Sequence, residues 1–328
     1  MFTLAIDCMG ADKGSKVCVE AIKLFLEKHN DVKIVAFGRM DELAELNGVN
    51  NVEIVDCPDV MEMTAGAMEA MRARTTSMYE AVSSMKKNDY QGIVSAGSTG
   101  AFLTLASVKL KNIDGVTRAA LVTAIPTYGG KLVTVLDVGA NVDTSSDQLV
   151  QFAKMGRIYS QHVLNVENPR VYLLSNGAED EKGSAEVKEA NKLLRENNFP
   201  NFLGNIEGRE VAFGDLDVLV TGGYAGNIFL KTYEGVAKMM SNMIKDAFYK
   251  NVSTKIGYLF AKKGFDELKQ RMSYESVGGA MLIGVNGVVV KAHGSSNADA
   301  FYHAIVVCYN LVKANVLDLI KEGVTENA

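Results

Sequence analysis

The chain has no tryptophan, and only four prolines, four histidines and four cysteines among 328 residues. Scarce proline argues against low-complexity linkers, and the 30 glycines carry no collagen-like triplet period. Cys8, Cys18, Cys57 and Cys308 are scattered, with no two at metal-ligand spacing. That usage fits a reducing compartment in which thiols act as small apolar residues. No run of about 18 apolar residues exists, which excludes a single spanning helix of ordinary composition. The start reaches Asp7 after six residues with no basic region before it, so no signal peptide is expected and a cytoplasmic location is. Positive charge is not in excess: 34 Lys and Arg face 39 Asp and Glu, a formal net of -5, which argues against a nucleic-acid partner. The G-x-G-x-x-G, Walker, G-x-S-x-G and H-E-x-x-H patterns are all absent, so neither a nucleotide cofactor nor a metal is expected.

Short apolar runs rich in Val and Ile alternate with longer helical-period segments. Strands are predicted at Thr3–Asp7, Lys33–Phe37, Val52–Val55, Gly92–Ser95, Ala119–Ala124, Lys131–Asp137, Arg170–Leu174, Asp217–Thr221 and Gly287–Lys291. Most are apolar throughout, as strands covered on both faces must be. Helices are predicted at Ser15–His29, Ala65–Arg74, Ser77–Lys87, Gly100–Leu110, Ser145–His162, Ser184–Asn197, Gly226–Lys250 and Ala298–Lys321. This alternation predicts an α/β fold with a mostly parallel sheet. No linker or internal repeat interrupts it, so residues 1–328 read as one domain.

Several strands end in small, polar, glycine-rich turns: 7–12, 95–100, 137–143, 175–177, 221–227 and 291–297. One such turn signifies only a corner that needs φ > 0. Six with hydroxyls and amides between the glycines predict a shared polar crevice along one sheet edge. Gly97, Ser98, Thr99 and Gly100 open a helix, where N–H groups and hydroxyls attract anions. Gly294, Ser295 and Ser296 repeat that chemistry, with Lys291 and His293 beside them. Helix caps alone would account for the hydroxyls, but not for a lysine and a histidine ending an apolar strand. His29 and His162 sit near helix ends and His303 within a helix, which leaves His293 as the histidine in a glycine-rich corner. Asp137, Asn141 and Asn227 complete the polar set.

Residues 238–271 hold eight basic against three acidic side chains, a local net of +5. Val252, Ile256, Leu259 and Phe260 follow i, i+4, i+7, i+8 spacing, with Lys255, Lys262 and Lys263 alongside. An apolar stripe flanked by lysines suits an anionic membrane surface or an acidic partner. It equally suits a helix buried in a dimer. A protruding amphipathic tip is expected over residues 238–272.

Taken in order, several segments resemble the bacterial phosphate acyltransferases of phospholipid synthesis, the PlsX family. They are Ile6–Asp12, Ser95–Gly100, Leu136–Asp143, Glu179–Gly183, Gly226–Ile228, Leu230–Lys231, Gly278–Ala280, Gly284 and Lys291–Asn297, and together they span the chain from Leu4 to about Glu322. The resemblance implies a Rossmann-like αβα sandwich related to isopropylmalate dehydrogenases and phosphotransacetylases. It implies a homodimer associated peripherally with the inner membrane face. It also implies acyl transfer from acyl carrier protein to inorganic phosphate, with the acyl phosphate passing to a membrane acyltransferase. His293, Lys291 and Asn227 are then the candidate catalytic residues. Candidates for binding phosphate or substrate are Gly97–Gly100, Asp137, Asn141 and Gly294–Ser296. Val252, Lys255, Ile256, Leu259, Phe260, Lys262 and Lys263 would touch the membrane or the carrier. Ala11, Lys13, Ser98, Gly222 and Met281 depart from the family's usual residues, and Gly222 removes a carboxylate. An enzyme acting on acyl-CoA and a catalytically silent scaffold are the rival readings.

Overall fold

The computed structural model describes residues 1–272 and 278–325. In chain order the first elements are β1 (Phe2–Asp7), α1 (Lys16–Leu26), β2 (Val32–Gly38), β3 (Val52–Asp56), α2 (Ala67–Arg72), α3 (Ser77–Lys87), β4 (Gly92–Ser95) and α4 (Thr99–Leu110). There follow β5 (Ala120–Pro126), β6 (Leu132–Leu136), α5 (Ser146–His162), β7 (Val171–Ser175), α6 (Ala185–Glu196), β8 (Phe202–Glu207), α7 (Gly208–Val211) and β9 (Val218–Val220). The chain closes with α8 (Gly223–Tyr249), α9 (Val252–Met272), β10 (Ala280–Ile283), β11 (Val288–Lys291), α10 (Ala298–Lys313) and α11 (Val316–Thr325).

All these strands form one sheet of order β3-β2-β1-β4-β11-β10-β5-β6-β9-β7-β8. Alternate residues enter two separate cores, as the two-residue period of a strand requires. Leu4, Ile6, Val94 and Val290 pack under α1, α5 and α10 on one face. Ala5, Phe37, Ile93 and Val289 pack under α3 and α4 on the other. The predicted αβα sandwich is the observed architecture.

The sheet is mostly parallel, as predicted, and its antiparallel pairings lie at the centre. β10 is antiparallel to β11 and β5, and β5 is antiparallel to β6. The β6-β9-β7-β8 block therefore runs opposite to β3-β2-β1-β4-β11. The predicted turns do not share one edge: those after β1, β4 and β11 lie at one edge, and those after β6, β7 and β9 at the other. The same reversal makes the site. β5–β6 and β10–β11 are joined as hairpins, which need no crossover helix. The centre of the sheet is thus left without a helix of its own on the face of α4 and α8. The register closes the remaining distance: Lys291 pairs Ala280, while neighbouring Met281 pairs Val122, which pairs Leu136 at the end of β6. The two rims come within about two residue steps along the strand axis, roughly 7 Å.

β8 and β10 were not among the predicted strands. β10 has four residues, and β8 is an edge strand carrying Gly204 and Asn205. The helix predicted at Ala298–Lys321 is two helices, broken at Asn315, whose φ of 53 places it in the left-handed region that Asn tolerates. All four cysteines are buried and free.

Candidate active site

A cavity of about 1130 Å³ lies over the uncovered central strands, between α4 and α8. Thr99, Gly100 and Leu103 of α4 form one wall, and Asn227, Leu230 and Lys231 of α8 the opposite one. Leu121, Thr123, Ile125 and Leu282 make the floor. Gly139–Asn141 and Lys291–Ser296 supply the two polar ends.

The first rim is a row of in-register residues on three parallel strands. Asp7, Ser95 and Lys291 are paired across β1, β4 and β11, so their side chains share a face. The Asp7 carboxylate is buried and accepts from Ser77 Oγ and Ser95 Oγ, each at 2.6 Å. Burial pushes its pKa up to about 6 against those hydrogen bonds and the nearby Lys291 charge. Lys291 is 8% exposed, and its Nζ donates to the carbonyls of Ala96, at 3.3 Å, and Ala292. Desolvation holds its pKa down at about 8, with Lys231 pushing the same way and Asp7 opposing. The sequence motif around Asp7 assigns it no role, and its one signal is a carboxylate at an inward position of an apolar strand.

His293 stands at the cavity edge. Its Nδ1 accepts from the Ser295 backbone N–H at 3.2 Å and lies 2.8 Å from Ser295 Oγ. An Nδ1 that accepts fixes the neutral tautomer with the proton on Nε2. Loss of hydration in the cavity wall, then Lys231, lowers its pKa. A neutral imidazole with a free Nε2–H results. Thr99 and Gly100, in the first turn of α4, have no intrahelical acceptors for their N–H groups, and both line the cavity.

The second rim is organised by Asp137. Its fully buried carboxylate accepts from the N–H groups of Leu121, Gly139, Ala140 and Asn141 and from Asn141 Nδ2. With every lone pair so engaged, Asp137 shapes the loop and does not line the cavity. Asn141 does line it, with its amide also held by the Ala119 carbonyl at 2.8 Å. Gly97 and Ser98 likewise lie behind the wall. Ser98 Oγ donates to Ala65 O and caps α4 by accepting from Ala101 N, and Gly97 is packed against Met78. Their expected contact with an anion is therefore replaced by support of the loop below it. Thr99, Gly100, Asn141, Asn227, Lys291, His293, Gly294, Ser295 and Ser296 are the predicted site residues that the fold brings around one cavity. The turn at 175–177 does not reach it.

Neither Cys8 nor Ser98 faces this space as a nucleophile. Cys8 is fully buried with its thiol held well up by desolvation, and Ser98 is turned to a backbone carbonyl.

The model of the family described as "Fatty acid synthesis protein" matches residues 2–319. The chain belongs to that family. Relatives in the fatty acid synthesis family include a phosphate acyltransferase of Staphylococcus aureus (strain MRSA252), 39% identical over 328 residues and covering 100% of this chain and 99% of that protein. Another, from Aliarcobacter butzleri (strain RM4018), is 38% identical over 329 residues, covering 99% and 98%. Among solved structures, a phosphotransacetylase from Streptococcus pyogenes superposes with a TM-score of 0.62 at 15% identity over 95% of this chain and 94% of that one. A branched-chain phosphotransacylase from Enterococcus faecalis V583 gives 0.59 at 17% identity, covering 95% and 100%. These two share the fold of this family member.

The helices following the site leave the body of the protein. Beyond Tyr233, which donates to the Pro126 carbonyl at 2.6 Å, the residues of α8 are largely exposed. α8 and α9 form a hairpin whose inner seam is aromatic, with Phe248 and Phe265 ring centroids 4.6 Å apart and Tyr258 against both. The predicted stripe faces outward: Phe260 is 88% exposed, Val252 74%, Leu259 70% and Ile256 52%. Lys255, Lys262 and Lys263 are exposed beside it. Among the described residues no single helix is long and apolar enough to cross a membrane.

Proposed function

We propose that this chain transfers a fatty acyl group from acyl carrier protein to inorganic phosphate, releasing acyl phosphate and the free carrier. One observation carries the reading: a desolvated ammonium, open helix N–H groups and a neutral imidazole donor surround the polar end of a cavity far larger than phosphate needs. The apolar remainder fits an acyl thioester. Lys291 and the N–H groups of Thr99 and Gly100 attract the phosphate dianion. A phosphate oxygen attacks the thioester carbonyl carbon, the carbonyl oxygen gathers negative charge, and the C–S bond then breaks. His293 Nε2–H, with the amide of Asn227, supplies donors to that oxygen. The leaving group is an alkyl thiolate, a far weaker base than an alkoxide, so it departs without a strong acid. Holding both reactants together accounts for much of the acceleration, and no acyl-enzyme is required.

The test is phosphate-dependent formation of acyl phosphate from acyl-carrier protein, trapped as hydroxamate, with acyl-CoA in parallel. Equal turnover of acyl-CoA would favour a coenzyme A enzyme; no turnover of either would leave a silent scaffold. Lys291 carries its charge below its pKa of about 8 and loses it as the pH rises through that value. The KM for phosphate is therefore expected to rise roughly tenfold from about pH 7 to about pH 9. A flat profile over that range would separate Lys291 from phosphate binding.

The exposed hairpin supports association with the inner membrane face, delivery of the product to a membrane acyltransferase, and a homodimer. The α9 stripe presents apolar side chains and lysines together, the composition that anionic lipid binds. On α8, Val236, Met239, Met240 and Met243 are 43–58% exposed at helical spacing and suit a second copy. Replacing Leu259 and Phe260 by Asp removes about 1.5–3 kcal/mol of burial each and is expected to abolish sedimentation with phosphatidylglycerol vesicles. Light scattering of the same variant should still give the mass of two copies. Unchanged sedimentation would remove the stripe from membrane binding.

A further inference from the structure

Besides its two polar ends, the cavity has a further limb that the mechanism does not use. It runs along α4 past Leu103 and Ser107 to Lys111, Asn112, Thr117 and Arg118. Both Lys111 and Arg118 are exposed, and among the described residues neither forms an ion pair. The loop presenting them is held on both sides. Ile113 N–H donates to Gly284 O at 2.9 Å, and Asn286 N–H to Lys111 O at 3.0 Å. Asn112 Nδ2 donates to the carbonyls of Val116 and Thr117, and both the N–H and Oγ1 of Thr117 reach Gln151 Oε1. Asp114, the acid of this loop, does not line the cavity. Two unpaired cations on a pinned loop, opening into a cavity, ask for an anion. The C-terminal end of α4 by itself repels one, so the side chains make the site.

Length identifies the anion. α4 has 12 residues, and at ~1.5 Å each it separates Thr99 from Lys111 by about 18 Å. The substrate of the proposed reaction carries its thioester on a phosphopantetheine arm. About thirteen bonds join its sulfur to its phosphorus, and at ~1.2 Å per extended bond they reach roughly 16 Å. We infer that Lys111 and Arg118 bind the phosphodiester of the carrier's phosphopantetheine arm, whose thioester lies at Lys291 and His293. The inference rests on the acyl-transfer reading above. It also assigns the limbs of the cavity. The arm lies along α4, where a fatty chain would end uselessly against two cations. The acyl chain takes the limb of Ile125 and Leu230, beside the exposed apolar face of α8.

The test compares acyl-phosphopantetheine with acyl-pantetheine, the same thioester without its phosphate. The wild-type enzyme is expected to show a KM roughly tenfold or more lower for the phosphorylated form, with the advantage shrinking as salt rises. The double variant Lys111→Gln/Arg118→Gln should lose that preference while kcat and the KM for acyl-pantetheine stay unchanged, and Arg118→Lys should restore part of it. Calorimetry with 4′-phosphopantetheine alone gives an independent reading: binding to the wild type, lost in the double variant. Equal KM values for the two thioesters in the wild type, or equal loss for both in the variant, would overturn the assignment. So would an effect on acyl-carrier protein with none on acyl-phosphopantetheine, which would place the contact on the carrier's own surface. If no thioester is turned over but calorimetry still shows phosphate-dependent binding, the reaction has failed and the subsite stands.

Discussion

Lys291→Met is expected to lower kcat/KM for phosphate by two to three orders of magnitude, about 3–4 kcal/mol of lost attraction, with little loss of stability. Methionine follows nearly the same path through the wall and fills nearly the same volume. Burial of the ammonium drops its pKa from 10.5 to about 8. That shift means the charge costs folding on the order of 3 kcal/mol wherever the lysine is protonated in both states, which is below pH 8. The variant escapes that cost. In exchange it leaves Asp7 without its neighbouring charge and the Ala96 carbonyl without its donor. These contributions largely offset, so the melting temperature should move by only a few degrees. Activity and stability are thus expected to separate. A loss below about threefold in kcat/KM, measured by hydroxamate trapping against phosphate concentration, would show that the ammonium merely ties Ala96 to Ala292.

Gly226→Ala should damage both properties. A Cβ at position 226 would stand 1.9 Å from the Asp137 carbonyl oxygen and 2.6 Å from Thr221 Cγ2. At Gly223 it would stand 2.1 Å from the Asn141 carbonyl oxygen. The two carbonyl oxygens are backbone atoms of the loop that Asp137 ties down through five hydrogen bonds, so neither side can yield cheaply. α8 must retreat from β6, carrying Asn227 with it. Overpacking of this kind costs about 1–3 kcal/mol or more, and a displacement near 1 Å at a reacting site costs about a hundredfold in rate. The expected result is a clear fall in melting temperature and at least a hundredfold lower kcat at temperatures where the variant is folded. Gly235→Ala, on the same helix with open space around it, is the control. It should keep full activity and gain up to about 1 kcal/mol from helix propensity. Wild-type kinetics for Gly226→Ala would mean that the close approach of α8 to the loop has no bearing on the site.

Much of this site was legible before any coordinates. Lys291 and His293 stood out because a strand of Val288, Val289 and Val290 ends in a cation and an imidazole, which nothing about packing asks for. Thr99, Gly100, Asn141 and Asn227 stood out as polar residues among glycines at strand ends. Gly97, Ser98 and Asp137 carried the same local signal, yet they point into the supporting shell. A hydrogen-bonding residue beside a glycine announces a tight turn. Which side of the turn faces the ligand depends on neighbours far away in sequence: Ala65 for Ser98, Met78 for Gly97, Leu121 for Asp137. Lys111 and Arg118 gave no sequence signal, being ordinary surface residues until α4 lays a cavity between them and Lys291.

The sequence by itself determined the layered α/β architecture and the positions of most strands. Buried strands read as unbroken apolar runs, and covering helices read as amphipathic periods, both of which are local patterns. It also marked the glycine-rich corners from which the cavity's polar residues come, although the corner at 175–177 does not reach the cavity. Strand direction was decided only by the tertiary structure. Ala120–Pro126 and Ala280–Ile283 are apolar whether they run with their neighbours or against them, because burial on both faces erases the difference. Running against them, they are joined by hairpins, leave the middle of the sheet bare of a crossover helix, and set two polar rims from opposite edges across one cavity.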